Sequence, residues 1–341
     1  MFRRLVSATA TRPSGRPRLL GGAVVGICAL VTTVGCMAPA PATAQQGVSF
    51  VVVDHFNRKV HLAQGATQKR PVASLTKVAT ACVVLDWAEL TQTNLSSMAV
   101  VPPQVVQLGA VPTPAGLAPG DQISLRDALA ACIMASDNIA AYTLADHVGR
   151  SLLQRTGRSG DPASFFVRQM NELAAKEGMA DTRFTNPAGL DHFRDVPTST
   201  ASDMARLAMY AIDKAGFNFY ARLPERDITI VRGGQPLRVT LRNTNQLLGT
   251  ASIDGVKTGL TQRAGGCVIV TAGRPSTVRT GPEGDRVFRH RMVVVVLGSD
   301  DRFGLASALL RDGWGRYDAW LNAGRPVQTA EELLNRPQPQ P

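Results

Sequence analysis

A change of hydrophobic period, met twice along the chain, restricts its fold more than any other feature. Gly47–Asp54 and Lys59–Ala63 are β-strand-like runs around the polar turn His55-Phe56-Asn57-Arg58, a pattern that predicts a hairpin. From Ser74 the pattern becomes helical, over Ser74–Leu85, Ser124–Ala135, Asn138–Val148, Ser164–Glu177 and Ser202–Ala215. Ser124 is placed as an N-cap, with Asp127 three residues on as an approximate capping box. β-Branched runs return at Asp227–Val231, Leu237–Leu241, Gly266–Ala272 and Arg291–Leu297, and Phe303–Leu321 closes with a helix. Residues 99–121, rich in Pro and Gly, read as loop. The expected fold is α+β: an antiparallel sheet built from both chain ends, with flanking helices and an inserted helical subdomain. Chemistry is expected where the two parts meet.

Charge excludes one class of partner. The chain carries 37 Lys+Arg against 26 Asp+Glu, but residues 1–44 hold five arginines and no acid. Without them the balance is 32 to 26, and only six lysines occur in the whole chain. The remaining basicity is scattered arginine with no clustered stripe or interleaved aromatics, so no nucleic-acid face is expected. Five histidines lie far apart, and no zinc, G-x-G-x-x-G or Walker pattern occurs, so neither a metal nor an organic cofactor is expected.

Residues 1–44 read as an address: Arg-rich to residue 18, apolar from Leu19 to Gly35, then a small-residue site at Ala42-Thr43-Ala44. Cleavage before Gln45 would leave 297 residues working outside the cytoplasm, in a periplasmic or other extracytoplasmic space. Two alternatives stay open: an uncleaved membrane tether, or lipoprotein processing at Cys36. The domain reading is therefore 1–44 signal or anchor, 45–322 catalytic domain, and 323–341 a short, partly disordered tail. Of the five cysteines, Cys82, Cys132 and Cys267 would remain, in apolar surroundings that suit small buried hydrophobes better than nucleophiles.

Three short motifs carry the chemistry. Ser74-Leu75-Thr76-Lys77 puts a hydroxyl and an amine on one helical face a turn apart. Serine attacks only when a base takes its proton, and lysine is such a base only when neutral, which burial or a second cation promotes. A helix N-terminus at Ser74 would also favour developing oxyanion charge. Ser136-Asp137-Asn138 falls in a break between helices, where these residues also serve as ordinary caps and turn formers. Lys257-Thr258-Gly259 follows the turn Asp254-Gly255, and by itself reads equally as an exposed strand.

Taken in order, the three motifs resemble those of the D-alanyl-D-alanine carboxypeptidases, the low-molecular-mass penicillin-binding serine peptidases of the β-lactamase/transpeptidase-like superfamily. The likeness extends to Pro71-Val72-Ala73 before the serine, to Phe165-Phe166-Val167 with Met170-Asn171, and to Phe184-Thr185-Asn186-Pro187-Ala188-Gly189-Leu190-Asp191. Ser199-Thr200, Asp203, Asn243–Asn245, Leu247-Leu248 and Asp254 through Gly259 continue it, so that it covers roughly residues 47–322. The resemblance implies Ser74 as nucleophile, Lys77 as general base and Ser136 as proton relay to the leaving D-alanine. It implies Asn138 as orienting group, Lys257 as source of positive potential, and Thr258 as partner of the substrate carboxylate. An oxyanion hole at the N–H groups of Ser74 and Leu260, beside Gly259, completes the set. The implied partners are peptidoglycan stem peptides ending in D-Ala-D-Ala, and β-lactam antibiotics as covalent inhibitors. Membrane contact would come only through an uncleaved N-terminal segment.

Two departures leave rival readings open. Asp137 gives the Ser-Asp-Asn of class A β-lactamases, although the one Glu-x-x-Leu-Asn of the chain, Glu331 to Asn335, stands in the tail beyond residue 322. The family's carboxylate-binding arginine has no secure counterpart. Thr244 is central in the Asn243–Asn245 motif, and Arg316 in the closing helix is the candidate substitute, with a solvated helix face as its plainer reading. DD-endopeptidase, β-lactamase and a catalytically silent peptidoglycan binder are the alternatives to DD-carboxypeptidase.

Overall fold

The computed structural model describes residues 47–281 and 284–334. The reading of residues 1–44 as an export signal, and of Arg336–Pro341 as disordered, falls outside them. Strands β1 (Ser49–Asp54) and β2 (Val60–Gln64) form the expected hairpin, and β3 (Arg70–Pro71) leads through a 3₁₀ turn at Ala73–Leu75 into α1 (Thr76–Thr91). There follow β4 (Met98–Val100), β5 (Gln122–Ser124), α2 (Leu125–Ile133), α3 (Asn138–Thr156) and α4 (Pro162–Lys176). Next come β6 (Thr198–Ser199), which pairs with β3, then α5 (Ala201–Ile212) and α6 (Ala215–Ala221). The chain continues through β7 (Glu225–Arg232), β8 (Gln235–Arg242), β9 (Ile253–Thr261), β10 (Gly265–Gly281), β11 (Gly284–Ser299) and α7 (Arg302–Asn322).

The main sheet has the order β2-β1-β11-β10-β9, antiparallel throughout, so that the first and last strands of the chain share it as expected. Its faces are apolar on both sides. Val51, Val53, Ile269, Val293 and Val295 join the core of the helical part, whereas Val52, Val268, Val270, Val294 and Val296 pack against Leu309, Trp314 and Tyr317 of α7. Continuous apolar runs such as Met292–Leu297 are what a sheet covered on both faces requires. Helix α1 runs through the helical part, and its stretch Thr76–Val84 is buried all round.

The returning strands divide between two sheets. β7 and β8 join β4 and β5 in a separate four-stranded sheet, in the order β4-β5-β7-β8. Burial explains the division. In β7 the buried Ile228 and Ile230 alternate with exposed Asp227 and Thr229, a one-sided strand unsuited to a sheet sandwiched between two layers. The segment expected as loop accordingly holds β4 and a 3₁₀ turn at Pro103–Leu108. Past α7, the tail folds back on the β1–β2 turn. Leu334 donates its N–H to the Arg58 carbonyl at 2.8 Å, and Lys59 pairs with Glu332.

Candidate active site

The site forms where the 3₁₀ turn before α1, the α2–α3 junction and the free edge of β9 meet. Ala73 takes a left-handed backbone with φ 48°, placing half-buried Ser74 one turn before Lys77. Lys77 is wholly buried, and its Nζ has three partners: Ser74 Oγ at 3.0 Å, Asn138 Oδ1 at 2.8 Å and the Ala188 carbonyl at 2.7 Å. Burial lowers its pKa to about 8, against the pull of Asp137 and Cys132. A sizeable neutral fraction therefore exists near physiological pH, able to receive the Ser74 hydroxyl proton.

Lys257 lies close enough to feel that charge. It is buried, donates to the Thr258 carbonyl at 3.0 Å, and is held well below the usual lysine range by burial, then by Lys77 and Arg302. Burial, more than the Lys257 charge, is thus what lowers Lys77. Thr258 Oγ1 lies 2.6 Å from Thr244 Oγ1, whose backbone N–H reaches the Met134 carbonyl at 3.0 Å. Gly259 lets β9 press against the Ser74 turn, since a Cβ there would stand 3.1 Å from Ser74 N. Asp254 anchors the start of β9 by accepting two hydrogen bonds of 2.8 Å from Arg291 and a third, also 2.8 Å, from Thr271.

The loop after α4 explains the Asn186–Asp191 motif. Asn186 Oδ1 accepts the N–H groups of Ala188, Gly189 and Leu190 at 2.8–3.1 Å, folding the loop around one side chain. This aims the Ala188 carbonyl at Lys77 and the Pro187 carbonyl at Thr80, 2.6 Å away. Asn171 brackets Phe184 at the loop's entrance with two hydrogen bonds of 2.9 Å.

Together these elements enclose a cleft of about 350 Å³. Ser74, Ser136, Asn138, Thr258, Gly259 and Leu260 all line it, with Lys77 behind Ser74 and Lys257 behind Thr258. Ser136 takes φ 60° in the turn between α2 and α3, and the Leu260 side chain is largely exposed at the mouth. Cys82, Cys132 and Cys267 are free and buried. Burial raises all three thiols, Cys132 and Cys267 to about 11, which holds them protonated and inert.

One expected residue is misplaced. Arg316 sits exposed on α7, where its charge bears on His61 of β2, and it is absent from the cleft. Helix α7 packs on the face of the main sheet turned away from the cleft, through Trp314, Tyr317 and Trp320, and Arg316 falls off that stripe. The arginine that reaches the cleft is Arg302, in the first turn of α7. It donates to the Gly259 carbonyl at 3.0 Å, and its Nε is buried without a partner. A signal for it was present. Arg302 precedes Ala306, Leu309, Leu310 and Gly313 at helical spacing, so that a cation stands at the head of an apolar stripe.

A family model described as D-alanyl-D-alanine carboxypeptidase, peptidase S11, matches residues 36–279. The chain belongs to that family. Among relatives, a D-alanyl-D-alanine endopeptidase of Pseudomonas aeruginosa is 30% identical over 263 residues, covering 75% of this chain and 78% of the relative. The D-alanyl-D-alanine carboxypeptidase DacC of Escherichia coli is 31% identical over 277 residues, or 78% of this chain, which spans only 60% of DacC. Among solved structures, the S96A mutant of the Streptomyces K15 DD-transpeptidase superposes with a TM-score of 0.66 at 24% identity, over 78% of this chain and 97% of that one. The K15 likeness establishes the fold, and the expected α+β architecture is that of this DD-peptidase.

Proposed function

We propose that this D-alanyl-D-alanine carboxypeptidase family member trims the terminal D-alanine from peptidoglycan stem peptides through a Ser74 acyl-enzyme, in an extracytoplasmic space. The observation that carries the reading is the Lys77 amine, buried and 3.0 Å from Ser74 Oγ inside the cleft. Neutral Lys77 takes the Ser74 proton as Oγ attacks the carbonyl carbon of the penultimate D-alanine. The N–H groups of Ser74 and Leu260 would hold the oxyanion. As the C–N bond breaks, protonated Lys77 returns its proton through the Ser136 hydroxyl to the departing amine, which regenerates the base, and D-alanine leaves. Water then attacks the ester, giving up a proton to the regenerated base and returning Ser74 Oγ–H. Asn138 keeps the Lys77 amine oriented through the 2.8 Å hydrogen bond to its Oδ1.

Recognition of the free carboxylate falls to Thr258 and Arg302, with Thr244 steadying Thr258 and Lys257 donating to the Thr258 carbonyl behind them. Arg302→Gln is expected to raise KM for a peptide ending in D-Ala-D-Ala roughly 10- to 100-fold, the worth of a charge-assisted hydrogen bond. A kinetic assay of D-alanine release checks this, and an unchanged KM would remove Arg302 from the carboxylate site. A second expectation concerns pH. The base must be neutral, so acylation by benzylpenicillin should climb as pH rises through about 8 and then level off. Stopped-flow acylation rates between pH 6 and 10 measure it, and a flat profile would speak against Lys77 as base.

The P. aeruginosa relative named as an endopeptidase supports a second reading, in which the same residues cut a cross-link after D-alanine. The β-lactamase alternative calls for a carboxylate to activate its water, and no acidic side chain lines the cleft among the described residues. Release of D-alanine from a D-Ala-D-Ala pentapeptide, by the natural protein and not by Ser74→Ala, tests the proposal.

A further inference from the structure

Asp137 takes no part in the chemistry above, and it separates Ser136 from Asn138 at the heart of the site. It is wholly buried, and its carboxylate holds three points of the chain together. Oδ1 accepts the Ala140 N–H at 2.9 Å, capping α3. Oδ2 accepts the Thr113 hydroxyl and the Ala115 N–H, each at 2.9 Å. Thr113 Oγ1 in turn accepts the Leu117 N–H at 3.2 Å, and Asn138 Nδ2 donates to the Pro112 carbonyl at 2.8 Å. The segment from Pro112 to Leu117 belongs to no helix or strand, and these side-chain bonds fasten it to the α2–α3 junction together with one backbone bond, from the Asn138 N–H to the Pro112 carbonyl at 3.3 Å.

The fastened residues alternate with two prolines that line the cleft, Pro112 and Pro114. Proline rings fix the backbone, and Asp137 fixes where that backbone lies. One wall of the cleft is therefore a stiff apolar rim, while residues 258–261 of β9 supply another. The cleft, about 350 Å³ in volume, is near the lower end for small-molecule sites. Discrimination by exclusion needs a wall that does not yield.

Building on the DD-peptidase reading, we infer that Asp137 is a positioning residue that pins the Pro112–Ala115 wall and so restricts the site to a chain-terminal D-alanine over a cross-linked one. Two variants test it. Asp137→Asn keeps an oxygen for the Ala140 cap but turns an NH₂ toward the Ala115 N–H. Thr113→Val removes the hydroxyl tie to Asp137, and with it the acceptor of the Leu117 N–H, and leaves Asp137 in place. Each is assayed for kcat and KM on a D-Ala-D-Ala pentapeptide and on a purified cross-linked muropeptide dimer, with thermal unfolding measured alongside.

The expected result is a fall of about tenfold in preference for the pentapeptide over the dimer in Asp137→Asn, with a smaller fall in Thr113→Val. The shift should appear mainly in KM. Equal losses on both substrates, or an unchanged preference in a folded variant, would overturn the inference. If Asp137→Asn does not fold, Thr113→Val alone decides by the same ratio. If the natural protein is not acylated by benzylpenicillin, the DD-peptidase reading itself has failed, an outcome distinct from an unchanged preference in an active enzyme.

Discussion

Replacing Lys77 with methionine should slow acylation of Ser74 by roughly 10³-fold while leaving the protein folded, because a positioned general base contributes about 10²–10⁴-fold. Methionine fills the same buried channel but cannot take a proton. The substitution acts on stability in two opposed ways. In the folded state Lys77 titrates at about 8, against about 10.4 in an unfolded chain, so below pH 8 the buried charge costs about 3 kcal/mol. The unfolded chain binds more protons between those values, so stability should rise with pH across that window in the natural protein. Methionine removes the cost, but deprives the Asn138 and Ala188 oxygens of their donor, at about 1–3 kcal/mol each. Near-cancellation is expected. Stopped-flow acylation with benzylpenicillin, paired with urea unfolding, measures both effects. A variant acylated within tenfold of the natural rate would show that another group removes the serine proton.

Gly189→Ala should be among the most damaging single-methyl changes within the described residues. Gly189 has φ 80°, and a Cβ built there would stand 1.9 Å from the Ala73 carbonyl oxygen and 2.9 Å from Ser74 N. Backbone faces backbone at this contact, so no side chain can turn aside. Relief requires the Asn186–Leu190 loop and the Ser74 turn to part by more than 1 Å, which moves Ser74 away from Lys77 and breaks the Ala188 tie. We expect a loss of about 4 kcal/mol or more in unfolding free energy, and acylation reduced at least 10²-fold. Gly315→Ala on α7 is the control, because nothing lies within 4 Å of a Cβ built there. Equal stability and equal acylation for Gly189→Ala would contradict the close approach.

These contacts show what the sequence could and could not convey. The sheet shared by both chain ends was legible because Met292–Leu297 and Gly266–Ala272 are runs that only two-sided burial accommodates. The proposed Ser74–Lys77 pair was legible because its spacing is local, running from the 3₁₀ turn into the first turn of α1. Arg302 was harder to see, since it reaches Gly259 through a strand register that joins Leu260 to Gly266 and Gly266 to Ser299. Arg316 drew attention by its place after Trp314-Gly315, whereas the buried stripe through Trp314, Tyr317 and Trp320 turns it to solvent. The anchoring of Asp137 to Thr113 and Ala115 spans more than twenty residues, and no periodicity announces a side chain bonded to an irregular segment. The family's Asn186-Pro187-Ala188-Gly189 motif was visible as letters only. Its reason, a loop wound on one amide to hold a carbonyl against a lysine, is a tertiary fact.

The central claim is that Ser74, activated by Lys77, forms a covalent acyl-enzyme. Its most direct test is the intact mass of the purified protein over time with benzylpenicillin, followed together with the antibiotic in solution. The account predicts one penicilloyl group per chain, mapped by peptide digestion to Ser74 and absent in Ser74→Ala, with the antibiotic otherwise persisting. An adduct that survives in Ser74→Ala would contradict the account, as would rapid antibiotic consumption with return of the unmodified mass, or no adduct at all.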